Sequence, residues 1–485
     1  MKSKLKRFIV MILVTTLLFN PIAYNVGLNQ YVKADAADTD IITTDFASAE
    51  EEDGLVHLTK TKNDTELLRI DVDKKNGVMY ITGDTRENIT SIDTNEFNGL
   101  KSWCQSYLKT VNIQNNGNYK IAVGCFTGCR LLQKVDIGFA NLTEIGYMAF
   151  YDCSALKTLA YYKDEENFLL TDQGTISIQN KTSISNCAFG LSGIEKLDIS
   201  NMTDITIGDA AFEDCTLLNK VNCDNAEVTF GYKTFYNCTA LNEISLNNTN
   251  IIKFGYEDFG NCTALTDVTL NIHNITMPDN EFAMEKMETS AWQNDFKNTP
   301  YGLFYNCKNL KNVKVISEDA ETLYPAMFYN CNALSKIDLT EMVALKDFNY
   351  EAFANCTSLN KESITLPDIE MENLGYNTFY NCKLFTNIDL SDWKFKLVGG
   401  FKNNENLESV IIPEYVTQIN NYAFEGCSKL KKAILPENVK AIGKKAFSNT
   451  AIDILRIPYN CINVDTTAFQ NFDGYVIILR DSLKF

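Results

Sequence analysis

The residues of this 485-residue chain that could do chemistry are two histidines, fifteen cysteines and a large excess of carboxylates. His57 and His273 lie 216 positions apart, so a zinc centre built from several histidines is ruled out. A Ser-His-Asp triad would have to use one of these two. The cysteines contain no C-x2-C pair, which is the wrong spacing for a structural zinc site. The 62 Asp+Glu stand against 44 Lys+Arg, a net charge of −18, and no carboxylate pair is singled out by its spacing. So acidic a chain repels phosphate backbones, which argues against nucleic acid as a partner. Asp71-Val72-Asp73-Lys74-Lys75-Asn76-Gly77 has the outline of a calcium loop. Lys75 and Thr82, however, occupy positions where an oxygen ligand and a glutamate belong, so the segment reads as a solvated turn into the next strand. Phosphate-cradling glycine loops and the G-x-S-x-G elbow are missing. The expectation is a protein without catalytic residues, cofactor or metal, whose chemistry is recognition.

The elements that position these residues come from a repeat. The phrase Phe-x-x-Cys occurs at Phe126, Phe150, Phe212, Phe235, Phe259, Phe304, Phe328, Phe353, Phe379 and Phe424. Degenerate copies start at Phe189, Phe401, Phe447 and Phe469, with Ser192, Asn404, Thr450 and Phe472 in the cysteine slot. Apolar residues follow the slot at +3, +6 and +8, as in Cys238-Leu241-Ile244-Leu246 and Cys331-Leu334-Ile337-Leu339. The alternation at the end of that phrase predicts a short strand with its apolar side inward. A unit this small cannot bury its apolar side alone. Successive units must therefore stack into a solenoid with one continuous core. At about 4.8 Å per strand, fourteen units make an arc of roughly 65–70 Å.

Units of the form V-x-x-I-G-x-x-A-F-x-x-C-x-x-L-x-x-I-x-I-P, clearest at 416–436 and 439–458, resemble the BspA-type leucine-rich repeats of bacterial surface proteins. The resemblance covers residues 96–485, and the stretch 77–113 is similar to the lead-in of such arrays. It implies a leucine-rich repeat solenoid, mostly β with short helical turns and a curved parallel sheet on its concave face. It also implies adhesion or host-protein binding, with no catalytic residues to carry over.

The cysteine slot also accepts Ser, Asn and Thr, so it calls for a small group able to bond turn backbone. A buried ladder of reduced thiols is the expectation. Disulfides between stacked neighbours are the alternative, near in distance but poorly oriented. The triplets Asn237-Cys238-Thr239 and Asn261-Cys262-Thr263 read as by-products of the same phrase.

On the strand face, the central outward positions run Asp136, Ala160, Asp198, Asn222, Ser245, Thr269, Lys314, Asp338, Thr365, Asp389, Ile411, Ile434 and Arg456. The row is polar or small until Ile411 and Ile434 form an apolar pair, with Trp393 and Tyr415 near in sequence. Asp338, Asp389, Ile411, Ile434 and Arg456 are the candidate binding residues, because neighbouring exposed apolar groups on a large face mark contact surfaces.

Residues 1–36 have the form of a secretory signal: Lys2, Lys4, Lys6 and Arg7, an apolar run, then Ala34-Asp35-Ala36. The apolar run is too short to span a bilayer. Its removal leaves 39 basic and 61 acidic residues, a net −22. Residues 37–95 are expected to form an acidic segment and cap, and 96–485 the solenoid, with insertions at 161–186 and 271–302. The second insertion carries His273, Met284, Met287 and Trp292. No LPxTG phrase is present, so a secreted or non-covalently held surface protein is expected, with no membrane span in the mature chain. Its partner would be an extracellular protein or glycan. A self-associating coat or matrix protein is the alternative.

Overall fold

One unit shows why these residues coil. In the unit around Phe424, Val416 lies inward just before a first short strand, Gln418–Ile419, that buries Ile419, and Ala423 and Phe424 enter a turn. Cys427 and Leu430 follow inward, and a second strand, Lys432–Ile434, buries Ala433. The turn is closed by short-range bonds, Cys427 N to Phe424 O at 3.2 Å and Leu430 N to Cys427 O at 2.9 Å. It does not run on as an α-helix, because the residue before the cysteine is left-handed. That residue is Gly426 (φ 75°) here, and Asn237 (φ 60°), Asn330 (φ 62°) or Asp214 (φ 60°) in other units. Asn, Asp and Gly reach this region at least cost. The freed N–H groups turn to the next rung instead: Tyr422 N, Phe424 N and Gly426 N donate to Lys444 O, Ala446 O and Ser448 O at 2.7–2.9 Å.

The computed structural model describes residues 41–42, 45–62, 65–83, 90–114, 117–138, 140–161, 175–177, 182–247, 249–271 and 302–479. Residues 1–36, read above as a secretory signal, and the insertion residues His273, Met284, Met287 and Trp292 lie outside the described residues. Among those described, the one α-helix is Leu100–Tyr107, with 3-10 turns at Thr94–Glu96 and Lys361–Ser363. The short helical turns expected between strands are therefore mostly turns bonded from rung to rung.

Two columns of parallel strands line the solenoid. The longer, on the strand face, runs through a twelve-stranded sheet into shorter sheets of four, three and two strands. The second column forms sheets of seven and five strands. Between them the fourteen repeat phenylalanines form one unbroken stack. It runs from Phe126–Phe150 at 5.4 Å, through Phe259–Phe304 at 5.3 Å, to Phe447–Phe469 at 6.1 Å. Phe150–Phe189 is as close as the rest at 5.2 Å, so neither insertion breaks the stack.

The span read as the insertion 161–186 nevertheless contributes strands. Thr175–Ser177 pairs in parallel with both Thr158–Tyr161 and Lys196–Asp198, and Ser183–Ile184 joins the second column. The strand face thus holds one rung more than the phenylalanine stack over this stretch, which lengthens that face locally by about one strand spacing, ~4.8 Å.

The two ends are built differently. At the N-terminal end, Leu55–Lys62, Thr65–Asp73 and Val78–Gly83 form an antiparallel meander whose last strand pairs in parallel with Thr110–Ile113. Helix Leu100–Tyr107 buries Leu100, Trp103 and Cys104 beneath it. At the other end Tyr475–Leu479 pairs with Ile454–Pro458. Its core-side residues Val476 and Ile478 stay 38% and 60% exposed, whereas their neighbours Leu455 and Ile457 are buried.

Candidate binding face

The strand-face row is assembled as the spacing predicts. Asp136 pairs with Ala160, Asp198 with Asn222 and Asn222 with Ser245. Thr269, Lys314, Asp338 and Thr365 follow one another rung by rung, and Asp389 pairs with Ile411 and Ile411 with Ile434. Ser177, from the additional strand, enters the row against Asp198. Ala160 is buried rather than presented outward.

The aspartates of this row serve the chain itself. One oxygen of Asp338 accepts from Thr340 N at 3.0 Å and Thr340 Oγ1 at 2.6 Å, and Asp389 likewise accepts from Ser391 N at 2.9 Å. Asp136 and Asp198 accept from Gly138 N and Ser200 N in the same way. Each carboxylate turns the backbone out of its strand. The hydroxyls of Thr340 and Ser391 hold the Asp338 and Asp389 carboxyls below the usual range. Lys314 is paired to Glu341 at 2.5 Å.

The apolar end of the row is larger than the sequence reading placed it. Ile434 is 41% exposed, and the strand Lys432–Ile434 lies beside Ile454–Pro458. Arg456 pairs with Ile477 and Ile454 with Tyr475, all outward. The patch therefore comprises Ile411, Ile434, Ile454, Tyr475 and Ile477 around Arg456. The period-2 alternation of 454–458 and 475–479 was the signal that would have found the last three. Trp393 does not belong to it: it is 2% exposed, packed at 6.0 Å from both Phe379 and Phe395. Tyr415 is exposed.

All fifteen cysteines are free thiols. From Cys153 onward the slot cysteines form the expected ladder, each Sγ donating to the phenylalanine carbonyl of the preceding rung: Cys153 to Phe126 O at 3.1 Å, Cys331 to Phe304 O at 3.2 Å, Cys427 to Phe401 O at 3.1 Å. Where Asn404 fills the slot, its Nδ2 makes the same bond, to Phe379 O at 2.8 Å. Burial pushes the thiols of Cys215 and Cys307 up to about 12. Such thiols are poor nucleophiles and poor metal ligands. His57 Nδ1 lies 2.6 Å from Asp71 Oδ1, but Arg69 Nε shares that carboxylate at 2.9 Å. The arrangement is an ion-pair cluster on the N-terminal meander. Among the described residues no group of three or more His, Cys, Asp or Glu is placed to hold a metal ion.

The turn face carries a feature that sequence reasoning missed. Tyrosines stack along it, Tyr232 on Tyr256 at 5.6 Å and Tyr305 on Tyr329 at 5.7 Å, with carboxylates set among them. Lys233 Nζ lies 3.6 Å from Glu257 Oε2 and 4.8 Å from the Tyr236 ring centre. Lys402 Nζ lies 2.8 Å from Glu425 Oε2 and 5.2 Å from the Tyr422 ring. Burial raises the carboxyl of Glu257 to about 7 and that of Glu351 to about 6.

Against known proteins, the family model "BspA type Leucine rich repeat region (6 copies)" matches in overlapping segments 81–190, 182–311, 228–360, 321–399 and 352–476. A comparison with curated proteins finds no match. Among solved structures, the chain is similar to a leucine-rich repeat protein from Bacteroides ovatus, at 17% identity and TM-score 0.42, over 87% of this chain and 100% of that one. It is also similar to a leucine rich cell surface protein from Faecalibacterium prausnitzii, at 16% identity and TM-score 0.29, over 92% and 96% of the two chains. The pneumococcal vaccine antigen PcpA matches at 14% identity and TM-score 0.34, over 90% and 100%. No helix among the described residues is long and apolar enough to cross a membrane. With its repeat matched over most of its length and its rungs stacked as that repeat requires, this chain belongs to the BspA-type leucine-rich repeat family.

Proposed function

We propose that this protein is exported and acts at or outside the cell surface, binding an extracellular protein or glycan along its strand face without catalysis. The carrying observation is the patch of Ile411, Ile434, Ile454, Tyr475 and Ile477 around Arg456, outward on consecutive rungs of one face. An aromatic, an arginine and branched aliphatic groups in one patch are the composition of a binding hot spot. Asp338 and Asp389 extend the face with negative charge. Export is supported by residues 1–36 and by the family. The test is binding of purified residues 37–485 to epithelial cells and matrix proteins, beside the Ile411→Asp/Ile434→Asp double variant. Saturable binding lost in the variant supports adhesion at this patch. Binding that survives moves the site elsewhere on the solenoid.

A second reading, self-association into a surface coat, is favoured by one observation, the exposed core-side residues Val476 and Ile478 on the last strand. An apolar edge strand is a template for another chain. Concentration-dependent oligomers in light scattering would support it, and a monomer at all concentrations would remove it.

A further inference from the structure

The turn face shows twice what kind of group it accepts. At the Phe235 and Phe259 rungs the ammonium of Lys233 lies against the Tyr236 ring and the carboxylate of Glu257. At the Phe401 and Phe424 rungs the ammonium of Lys402 lies against Tyr422 and Glu425. In both places a primary ammonium is held by one aromatic face and one poorly hydrated carboxylate, a combination that strengthens both contacts.

Between them, Glu351 occupies the place in its unit that Lys233, Glu257 and Tyr422 occupy in theirs, two residues before the repeat phenylalanine and, like them, left-handed (φ 55°). Burial raises the phenols of Tyr329 and Tyr376, and the Glu351 carboxylate raises both further, as Tyr380 does that of Tyr329. Asn377 Nδ2 donates to Glu351 Oε1 at 3.3 Å. Asn377 is 8% exposed, and its Oδ1 is buried without a hydrogen-bond partner. Lys402, whose charge also acts on Glu351, is paired to Glu425 at 2.8 Å. The cluster thus holds an acceptor left over, the Asn377 carbonyl, next to the Glu351 carboxylate and beside aromatic rings of which Tyr376 is 38% exposed. A buried acceptor left unpaired is costly, and a lysine ammonium brings three donors and no acceptor.

We infer that Glu351 and Asn377, flanked by Tyr329, Tyr376 and Tyr380, form a receiving site for a lysine side chain presented by a protein partner. The site rests on the protein-binding reading above and adds a second contact on a different face. The Lys233 and Lys402 sites are its internal counterparts, filled by the chain's own lysines. The strong net negative charge draws cationic partners toward the molecule from a distance.

The probe is a fluorescein-labelled tetralysine peptide, titrated by anisotropy against the full chain at low and physiological salt. The same peptide with acetylated side chains runs as control. Glu351→Gln should weaken binding by about tenfold or more, as loss of a hydrogen bond to a charged group does. Glu372→Gln, which removes the same charge from the exposed Glu372–Lys396 pair, should change it less than twofold. Asn377→Leu should also weaken binding, and thermal melts of each variant establish that it is folded. Equal weakening by Glu351→Gln and Glu372→Gln would show attraction to net charge alone and overturn the inference, as would binding of the acetylated peptide. The outcome is separable from the adhesion reading. Matrix binding lost in the Ile411→Asp/Ile434→Asp variant but kept in Glu351→Gln leaves adhesion standing without this site. Tetralysine binding with no matrix binding does the reverse.

Discussion

The phenylalanine stack and the strand-face row are two columns of the same solenoid with the same period, yet they obey different rules. In the stack every rung repeats its residue from Phe126 to Phe469, and the cysteine slot beside it changes only to groups that can occupy the same turn, as Asn404 shows. In the row, successive rungs change from Asp389 to Ile411, Ile434 and Arg456. A stacked ring touches the ring above and the ring below, so a different residue disturbs two neighbours at once. An outward strand residue meets solvent on one side and is released from that constraint. The comparison teaches where to look for function in a repeat protein: in the column that the period does not hold constant.

Phe304→Ala, in mid-stack, should break the first column most severely, costing about 3–5 kcal/mol of stability. A denaturant midpoint well below wild type with an unchanged slope is the expected result. The next largest effect is pH-dependent. Burial raises Glu257 to about 7 from an ordinary 4.5. The folded chain therefore holds that proton more tightly than the unfolded chain. Its contribution to stability is fully present below about pH 4.5 and is lost as pH rises through about 7. The upper limit is ~3 kcal/mol at one pKa unit per 1.36 kcal/mol. Melting temperature should rise on acidification from pH 8 to 5, and Glu257→Gln should flatten that slope while keeping the chain stable at pH 8.

Cys331→Val should cost about 1 kcal/mol, because it removes the thiol donor to Phe304 O but leaves Cys307 N bonded there. Cys331→Asn, copying Asn404, should cost less if its larger side chain is accommodated. Thiol titration checks the same column: few thiols should react in the native chain and all fifteen in denaturant. Fewer than ten in the unfolded chain would replace the ladder with disulfides. Smallest of all should be the stability change of Ile434→Asp on the second column, within about 0.5 kcal/mol. Loss of partner binding with an unchanged melt would separate the columns cleanly. An unfolded variant would erase the distinction drawn between them.

Much of this was legible in the residues. The stack was, because Phe-x-x-Cys recurs with inward apolar positions at constant offsets. The thiol ladder was, because the slot's tolerance of Ser, Asn and Thr described a small polar bonding group. In the Asn-Cys-Thr triplets, Asn237 and Asn261 hold the left-handed backbone of the repeat turn. The strand Thr175–Ser177 was not legible, since it pairs on both sides without carrying the repeat phrase. Trp393 was drawn toward the surface patch by proximity in sequence, but its large apolar ring found the core between Phe379 and Phe395.

The order of the rungs, the inward residues and the register of the outward row were determined by the chain's own period, because a unit that cannot close a core alone has only its neighbours to close it. Which outward residues form a site was decided by tertiary structure. Asp338 and Asp389 are read alike as charges in the sequence, but in the fold each has one oxygen tied to the turn that follows it. Glu351, Asn377 and three tyrosines come from separate units, and no spacing rule joins them. They meet because stacking brings residues some two dozen positions apart to within one rung of each other, and burial then changes what their side chains can bind.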